Sequence, residues 1–332
     1  MVEIPSEPSV DTLIEQTLAL LYAQRAEVNS LISYLQAMAG GNAQPGHKSV
    51  SEPNERRCFE RALREAIPTK ALSLAFEPIV SATGDWRIIE ALLRWRHPER
   101  GAIPPAEFIS LAERTGDIIP IGRWVLLEAC REALTWPGTP PPVVSVNASP
   151  VQILTSSFVS DVFAALAESR LPPERLQIEL TENLFAGDLA RINTVLAALR
   201  RSGIRIALDD FGTGFSCLAH LRTLLIDSIK IDRSFIEGID ADSNPIVQAI
   251  LSMAQALKLE TVAEGVEELA QAETLLSMGT QYLQGFLFTG RSLSSEAVRD
   301  WLASRSRPGL SSQQEPGIRR GFPAAKTAQA RG

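Results

Sequence analysis

From residue 72 onward, short apolar runs alternate with longer stretches in which apolar side chains recur every three or four positions. That alternation predicts strands interleaved with helices. Strands are predicted at 72–80, 86–95, 143–147, 176–181, 204–209, 228–231, 261–264 and 282–286. Helices are predicted between most of them, at 106–114, 122–134, 158–169, 189–201, 245–257 and 267–278. Eight strands with interposed helices point to an α/β protein built as a closed (β/α)8 barrel of the TIM type, ahead of an open doubly wound sheet. The connection Ser81-Ala82-Thr83-Gly84-Asp85 is too short for a parallel crossover, so the first two strands must run antiparallel.

The flanks read differently. Ile14, Leu18, Leu21, Val28, Ile32 and Leu35 follow a heptad-like repeat interrupted by Arg25, which predicts an N-terminal amphipathic helix able to pair with its copy or to pack on the main domain. Residues 39–53, with Gly40, Gly41, Pro45 and Gly46, read as a linker, and 55–67 as a lead-in helix that stops before Pro68. Three segments are therefore expected: 1–54 as helix and linker, 55–304 as the barrel, and 305–332 as a basic tail without periodicity, disordered by composition. The first 66 residues are too few for an ordinary sensor domain, and no cyclase-type domain is expected.

Composition narrows the function classes. The 332 residues are 45% hydrophobic and carry a net charge of −7, with a pI near 5.2. That disfavours binding to DNA or RNA duplexes, which needs a basic face. No run is long enough to span a bilayer and no targeting pattern opens the chain, so a cytoplasmic protein without membrane attachment is expected. Three scattered cysteines, Cys58, Cys130 and Cys217, read as reduced thiols.

The chemistry is concentrated at the strand ends. Ile204 to Leu208 is an apolar run that stops at Asp209-Asp210, followed at once by a loop with Gly212 and Gly214. Two adjacent carboxylates repel and are costly to desolvate, so they call for a positive partner, most simply a divalent metal. Glu90, Asn147, Glu179 with Glu182, Lys230, Glu264 and Gln284 end the other strands. In a barrel that end is the active-site face. The donors are all oxygen, which selects hard cations such as Mg²⁺ or Mn²⁺. His97 and His220 are not needed for such a set, and the five tryptophans read as packing residues, with Trp95 left open as a base-stacking surface beside Arg94.

Seven motifs occur together: Glu90-Ala91-Leu92 with Leu93-Arg94-Trp95, Val146-Asn147-Ala148-Ser149, Glu179-Leu180-Thr181-Glu182, Asp209-Asp210-Phe211-Gly212-Thr213-Gly214, Lys230-Ile231-Asp232, Glu264-Gly265-Val266-Glu267 and Gln284-Gly285-Phe286. In kind and order they resemble the EAL-domain cyclic-di-GMP phosphodiesterases, from about residue 57 to about 304. The resemblance implies a barrel with an antiparallel first strand. It also implies two Mg²⁺ or Mn²⁺ ions and hydrolysis of cyclic-di-GMP to linear pGpG in bacterial second-messenger signalling.

Carried over by motif, Glu90, Asn147, Glu179 and Asp209 would hold one ion and Asp209, Asp210 and Glu264 the other. Two cations sharing a water lower its pKa and neutralise charge on the phosphoryl oxygens. Lys230 would orient the water or stabilise the transition state, Gln284 would hold the water network, and Glu264 would take part in catalysis as a ligand. Arg94 would meet a phosphate, and Asp232 and Glu77 would contact substrate. Glu182 would anchor the loop 211–218, whose glycines permit either a moving segment or a tight turn.

Three stretches depart from the family pattern. Glu77 stands where a glutamine is usual, Phe215 and Cys217 where Tyr and Ser are commoner, and Gly290-Arg291-Ser292 lacks the usual proline. No metal ligand is lost. The resemblance also implies a homodimer. The competing readings are a catalytically silent barrel that binds the nucleotide or a protein partner, and an unrelated metal-assisted barrel enzyme such as an aldolase.

Overall fold

The fold is described from a computed structural model, which covers residues 53–305 other than 183, 185–187, 214–220 and 240–243, together with positions 12, 16 and 17. Apart from positions 12, 16 and 17, which are helical, the expected N-terminal helix lies outside the described residues, as do the linker up to residue 52, the tail from residue 306, His220, Cys217 and most of loop 211–218.

A lead-in helix, α1 (Pro53–Arg64), precedes a hairpin of β1 (Leu72–Ser81) and β2 (Trp86–His97). The hairpin turn is closed by Gly84 at φ 84° and by Thr83 Oγ1 donating to Asp85 Oδ2 at 2.9 Å. A short β3 (Gly101–Ile103) folds back on β2, and α2 (Pro105–Thr115) and α3 (Ile118–Leu134) follow. The repeating part then runs β4 (Val143–Asn147), α4 (Pro150–Ile153), α5 (Phe158–Ser169), β5 (Leu176–Thr181), α6 (Leu189–Arg200), β6 (Arg205–Phe211) and β7 (Ser228–Ile231). It finishes with α7 (Pro245–Leu257), β8 (Glu260–Ala263), α8 (Leu269–Ser277), β9 (Tyr282–Gln284), α9 (Phe286–Thr289) and α10 (Ser295–Arg305).

The strand order β1-β9-β8-β7-β6-β5-β4-β2, with β1 also paired to β2, closes an eight-stranded barrel. β1 is antiparallel to both neighbours, and the other six pairings are parallel. The antiparallel start demanded by the short turn is therefore present.

Alternation within the strands sorts side chains between two environments. Val144, Val146, Ile178, Leu180, Ile206, Leu208, Ile229 and Ile231 belong to the large buried cluster shared with the helices. Their neighbours Ser145, Asn147, Gln177, Glu179, Ala207, Asp209, Ser228 and Lys230 face the opposite way, into the barrel. A separate small cluster of Ile79, Ile88 and Val262, packed with Val143 and Tyr282, plugs the lumen. The barrel is thus apolar outside and polar above its plug.

Several boundaries move. β3 and α10 were not anticipated: a three-residue strand carries no period, and α10 has only a weak apolar stripe. Phe286 starts a helix instead of ending a strand, because Gly285 turns the chain at φ 151°. β8 begins one residue earlier than expected and ends at Ala263, with Glu264 just beyond it. Trp95 is buried against Phe59 and Phe108, which rules it out as a base-stacking surface. His97 accepts the backbone N–H groups of Glu99 and Arg100 and serves its own turn.

Candidate active site

The site grows out of the inward-facing ends of seven strands. Glu90 is on β2, Asn147 ends β4, Glu179 is on β5, Asp209 and Asp210 are on β6, Lys230 is on β7, Glu264 follows β8, and Gln284 ends β9. On a regular strand Asp209 and Asp210 would point to opposite faces. Here the β6–β7 register slips between Leu208 and Phe211, and Asp210 adopts a positive φ of 54°. The bulge turns both carboxylates toward one place: ligand atoms of Asp209, Asp210 and Glu264 all lie within 4.8 Å of one another.

Lys230 is the electrostatic centre. Its side chain is 1% exposed, and Nζ lies 2.6 Å from Glu264 Oε1, 2.8 Å from Glu179 Oε2, 3.1 Å from Asp209 Oδ1 and 3.3 Å from Glu90 Oε2. Four carboxylates share one ammonium. Glu90 is held further by Asn147 Nδ2 donating to Oε1 at 2.6 Å and Gln284 Nε2 donating to Oε2 at 2.7 Å. Glu179 Oε1 accepts from Ser145 Oγ at 2.5 Å, and Ser145 Oγ accepts in turn from Gln177 Nε2 at 3.0 Å.

The charge balance shows in the acid strengths. Burial lowers the affinity of the Lys230 site for a proton, but Asp209, Glu179, Glu264 and Glu90 outweigh it and hold the ammonium well above its usual range. Burial pushes Glu90 up, yet Lys230 and the donors Gln284 and Asn147 bring it below the usual carboxylate value. Glu179 is pushed up to about 8 by burial and by Glu90. Glu264 is raised well above normal by burial, with Asp209 and Glu90 adding to it against Lys230. Asp210 rises to about 6 through burial and Asp209. One ammonium does not neutralise this cluster.

The residues fit divalent cations. The donors are oxygens, the carboxylates outnumber their internal cation, and the buried Asp209 Oδ1 accepts no hydrogen bond from the described residues and has only its share of the Lys230 ammonium at 3.1 Å. Glu90, Glu179, Asp209 and Glu264 meet at Lys230, Asn147 is bonded to Glu90, and Asp209, Asp210 and Glu264 bring ligand atoms within 4.8 Å of one another.

The remaining predicted residues surround this centre. A cleft of about 470 Å³ is lined by Glu77, Asp210, Asp232, Glu264, Gln284 and Phe286, among others. Glu77 pairs in register with Glu90 and is raised by burial and by Glu90. Asp232 accepts from Ser234 N at 3.0 Å, capping the turn after β7. Arg94 is on the other side, lining an apolar pocket of about 270 Å³ with Asn147 and Ala148. Its Nη2 donates to Ser292 Oγ at 3.1 Å. Glu182 lies past the end of β5, buried, and Oε2 accepts Gly212 N at 3.2 Å, which joins it to the start of the loop after β6.

Ser145, Gln177 and Ser292 were not singled out from the sequence. A signal existed for two of them: Ser145 and Gln177 precede Asn147 and Glu179 by two residues, so they share the inward face of their strands. Nothing in the sequence alone places Ser292 against Arg94, 198 positions away.

Comparison with known proteins agrees with the geometry. The EAL domain family model matches residues 60–290. The bifunctional diguanylate cyclase/cyclic di-GMP phosphodiesterase MucR of Pseudomonas aeruginosa is 41% identical over 241 residues, covering 71% of this chain and 35% of MucR. A solved structure of the PaMucR phosphodiesterase in complex with c-di-GMP matches with TM-score 0.68 and 41% identity, covering 72% of this chain and 98% of that one. The EAL domain of Mycobacterium smegmatis DcpA matches with TM-score 0.61 and 36% identity, covering 70% and 98%. The chain spans about a third of the length of the curated relatives it matches, 35%, 37% and 30% in three cases. Among the described residues, no helix is long and apolar enough to cross a membrane.

Proposed function

Because the chain belongs to the EAL-domain family, we propose that it is a phosphodiesterase that hydrolyses cyclic-di-GMP to linear pGpG, lowering this second messenger in the bacterial cytoplasm. The observation that carries the reading is the convergence of Glu90, Glu179, Asp209 and Glu264 on Lys230, with Asp210 turned into the same cluster by the bulge in β6. Two Mg²⁺ or Mn²⁺ ions would be held there, one by Glu90, Asn147, Glu179 and Asp209, the other by Asp209, Asp210 and Glu264. When bound they supply Lewis acidity and an acidified water.

The protein's own groups do the rest. Lys230 presents a fixed positive charge at the centre of the acidic cluster, where it steadies negative charge developing on the phosphoryl oxygens. Gln284, tied through Nε2 to Glu90, leaves Oε1 without a hydrogen-bond partner among the described residues and able to hold a water. Arg94 offers a guanidinium to a phosphate, a pairing suited to its planar fork. Asp232 and Glu77 line the cleft in which one half of the substrate would lie. Glu182 fixes the start of the loop after Asp210 through Gly212. A homodimer is the expected assembly.

The test is to incubate the purified protein with cyclic-di-GMP and Mg²⁺ or Mn²⁺ and follow pGpG, with EDTA and Glu90→Ala as controls. Product that depends on both metal and Glu90 supports the reading. Binding of the nucleotide without turnover would replace it with a receptor.

A further inference from the structure

Beneath the predicted metal ligands, the lumen carries a pair of polar residues that no apolar packing requires. Ser145 on β4 and Gln177 on β5 are both 0% exposed, in strands whose opposite faces are fully apolar. Burying two such groups is costly unless each has a defined partner. They are connected in one direction, with Gln177 Oε1 left without a hydrogen-bond partner among the described residues. Gln177 Nε2 donates to Ser145 Oγ at 3.0 Å, and Ser145 Oγ donates to Glu179 Oε1 at 2.5 Å.

A serine hydroxyl has a single proton and can rotate it. The amide N–H arriving from Gln177 occupies one acceptor site on Oγ and so directs that proton at Glu179. The glutamate is then held at both oxygens: Oε1 from below by Ser145, and Oε2 from the lumen axis by Lys230 at 2.8 Å. Its rotamer is fixed, and Oε2 faces the cluster formed with Glu90 and Asp209 around Lys230.

We propose that the Gln177–Ser145 relay is a positioning device for Glu179: it pre-orients this carboxylate so that a divalent cation can be held at the Glu90, Asn147, Glu179 and Asp209 side of the site. Neither residue touches substrate. The inference rests on the metal reading given above and deepens it. Groups that orient metal ligands commonly alter metal affinity by roughly 10–100-fold when removed. Gln177 acts only through the hydroxyl, so its effect must vanish once Ser145 is gone.

The experiment is a double-mutant cycle on Mn²⁺ affinity, with Ser145→Ala, Gln177→Leu and the double variant of the full chain. Free Mn²⁺ is read by electron paramagnetic resonance, and the fold is checked by circular dichroism and melting in EDTA. Ser145→Ala is expected to weaken Mn²⁺ binding by roughly 10-fold or more, Gln177→Leu by less, and the double variant by no more than Ser145→Ala alone. Effects that multiply, or melting points that fall while Mn²⁺ affinity stays at the wild-type value, would overturn the relay. Should Ser145→Ala fail to fold, Gln177→Leu decides by itself: unchanged affinity refutes the proposal. A wild-type chain that binds no Mn²⁺ would remove the metal reading and the relay with it, whereas wild-type binding with indifferent variants removes the relay only.

Discussion

Lys230 Nζ and Glu264 Oε1 are 2.6 Å apart, the shortest of the four contacts the ammonium makes. Its charge is buried and irreplaceable by water, so deleting it leaves Glu90, Glu179, Asp209 and Glu264 to repel one another. Removing one partner of a buried ion pair typically costs about 3–5 kcal/mol. Lys230→Met is therefore expected to lower the melting temperature of the metal-free protein markedly and to abolish cyclic-di-GMP turnover. Mn²⁺ should raise the melting temperature of the variant more than that of the wild type, because the metal supplies the missing positive charge. Equal shifts in the two proteins would contradict this balance.

Acid strengths in the cluster give a pH dependence of definite sign. Asp210 titrates at about 6 and Glu179 at about 8, both raised from the ordinary carboxylate range by burial and by neighbouring carboxylates. A raised carboxylate favours the folded state fully below its unfolded value, and that contribution is lost as pH climbs through the folded one. The metal-free protein should thus lose stability between about pH 4 and pH 8 from these groups, and Asp210→Asn should remove the part lost up to about pH 6. Metal binding must displace the same protons, so Mn²⁺ affinity is expected to fall as pH decreases through this window. Melting in EDTA and Mn²⁺ titration at several pH values check both halves.

Much of this site was legible as sequence because its residues end strands whose apolar alternation is strong. The Ser81–Asp85 turn alone fixed the antiparallel start, and Glu179, Lys230 and Glu264 sit where barrel geometry places strand ends, whereas Glu90 lies within β2, which runs on to His97. The convergence of Asp209 with Asp210 was not legible from alternation, which separates adjacent side chains. It depends on the slip in register against β7 and on the positive φ at Asp210, and these are tertiary facts. Lys230 was visible as a strand-end cation, but its simultaneous contact with four carboxylates required the closed barrel. Arg94 and Ser292 meet only because Leu293 bridges back to Phe76 and brings the last loop beside the first hairpin.

That contact carries a prediction of its own. Ser292 Oγ accepts Arg94 Nη2 at 3.1 Å and limits where the guanidinium can point. Arg94→Ala is expected to raise KM for cyclic-di-GMP strongly, and Ser292→Ala to raise it modestly while leaving kcat near the wild-type value. In the Arg94→Ala background, Ser292→Ala should do nothing further. Steady-state kinetics of the three variants test this, and a Ser292→Ala effect on kcat alone would contradict it.

Glu77 opposes Glu90 across the hairpin and lines the cleft beside Asp210, Asp232 and Glu264. An extra carboxylate there repels an anionic nucleotide and costs more as pH rises and it ionises. Glu77→Gln should therefore tighten cyclic-di-GMP binding, with the gain larger at low salt, where screening is weak. Calorimetric titration in a Glu264→Ala background, in which turnover is blocked, measures the affinity directly. Weaker binding would mean that Glu77 accepts a hydrogen bond from the ligand instead.

Two glycines hold the backbone that carries Glu264 and Gln284. Gly285 has φ 151°, and a Cβ there would lie 2.3 Å from Val266 O and 2.4 Å from Val266 N. Gly265 has φ 68°, and its Cβ would lie 2.4 Å from Arg233 Cβ. The first clash is with backbone held in place by Val266 N donating to Gln284 O at 3.0 Å and Leu287 N donating to Val266 O at 3.0 Å. No rotamer relieves it. The second is with a side chain on a short turn, which can give a little. Strained backbone of this kind costs on the order of 1–3 kcal/mol per residue before any clash is counted. Gly285→Ala is accordingly expected to destabilise the protein more than Gly265→Ala and to abolish turnover, since relief requires pulling the Gln284 end of β9 away from Val266 and so from Glu90. Denaturant unfolding of the two variants ranks them, and the reverse order would show that the β9 end yields more readily than the turn after β7.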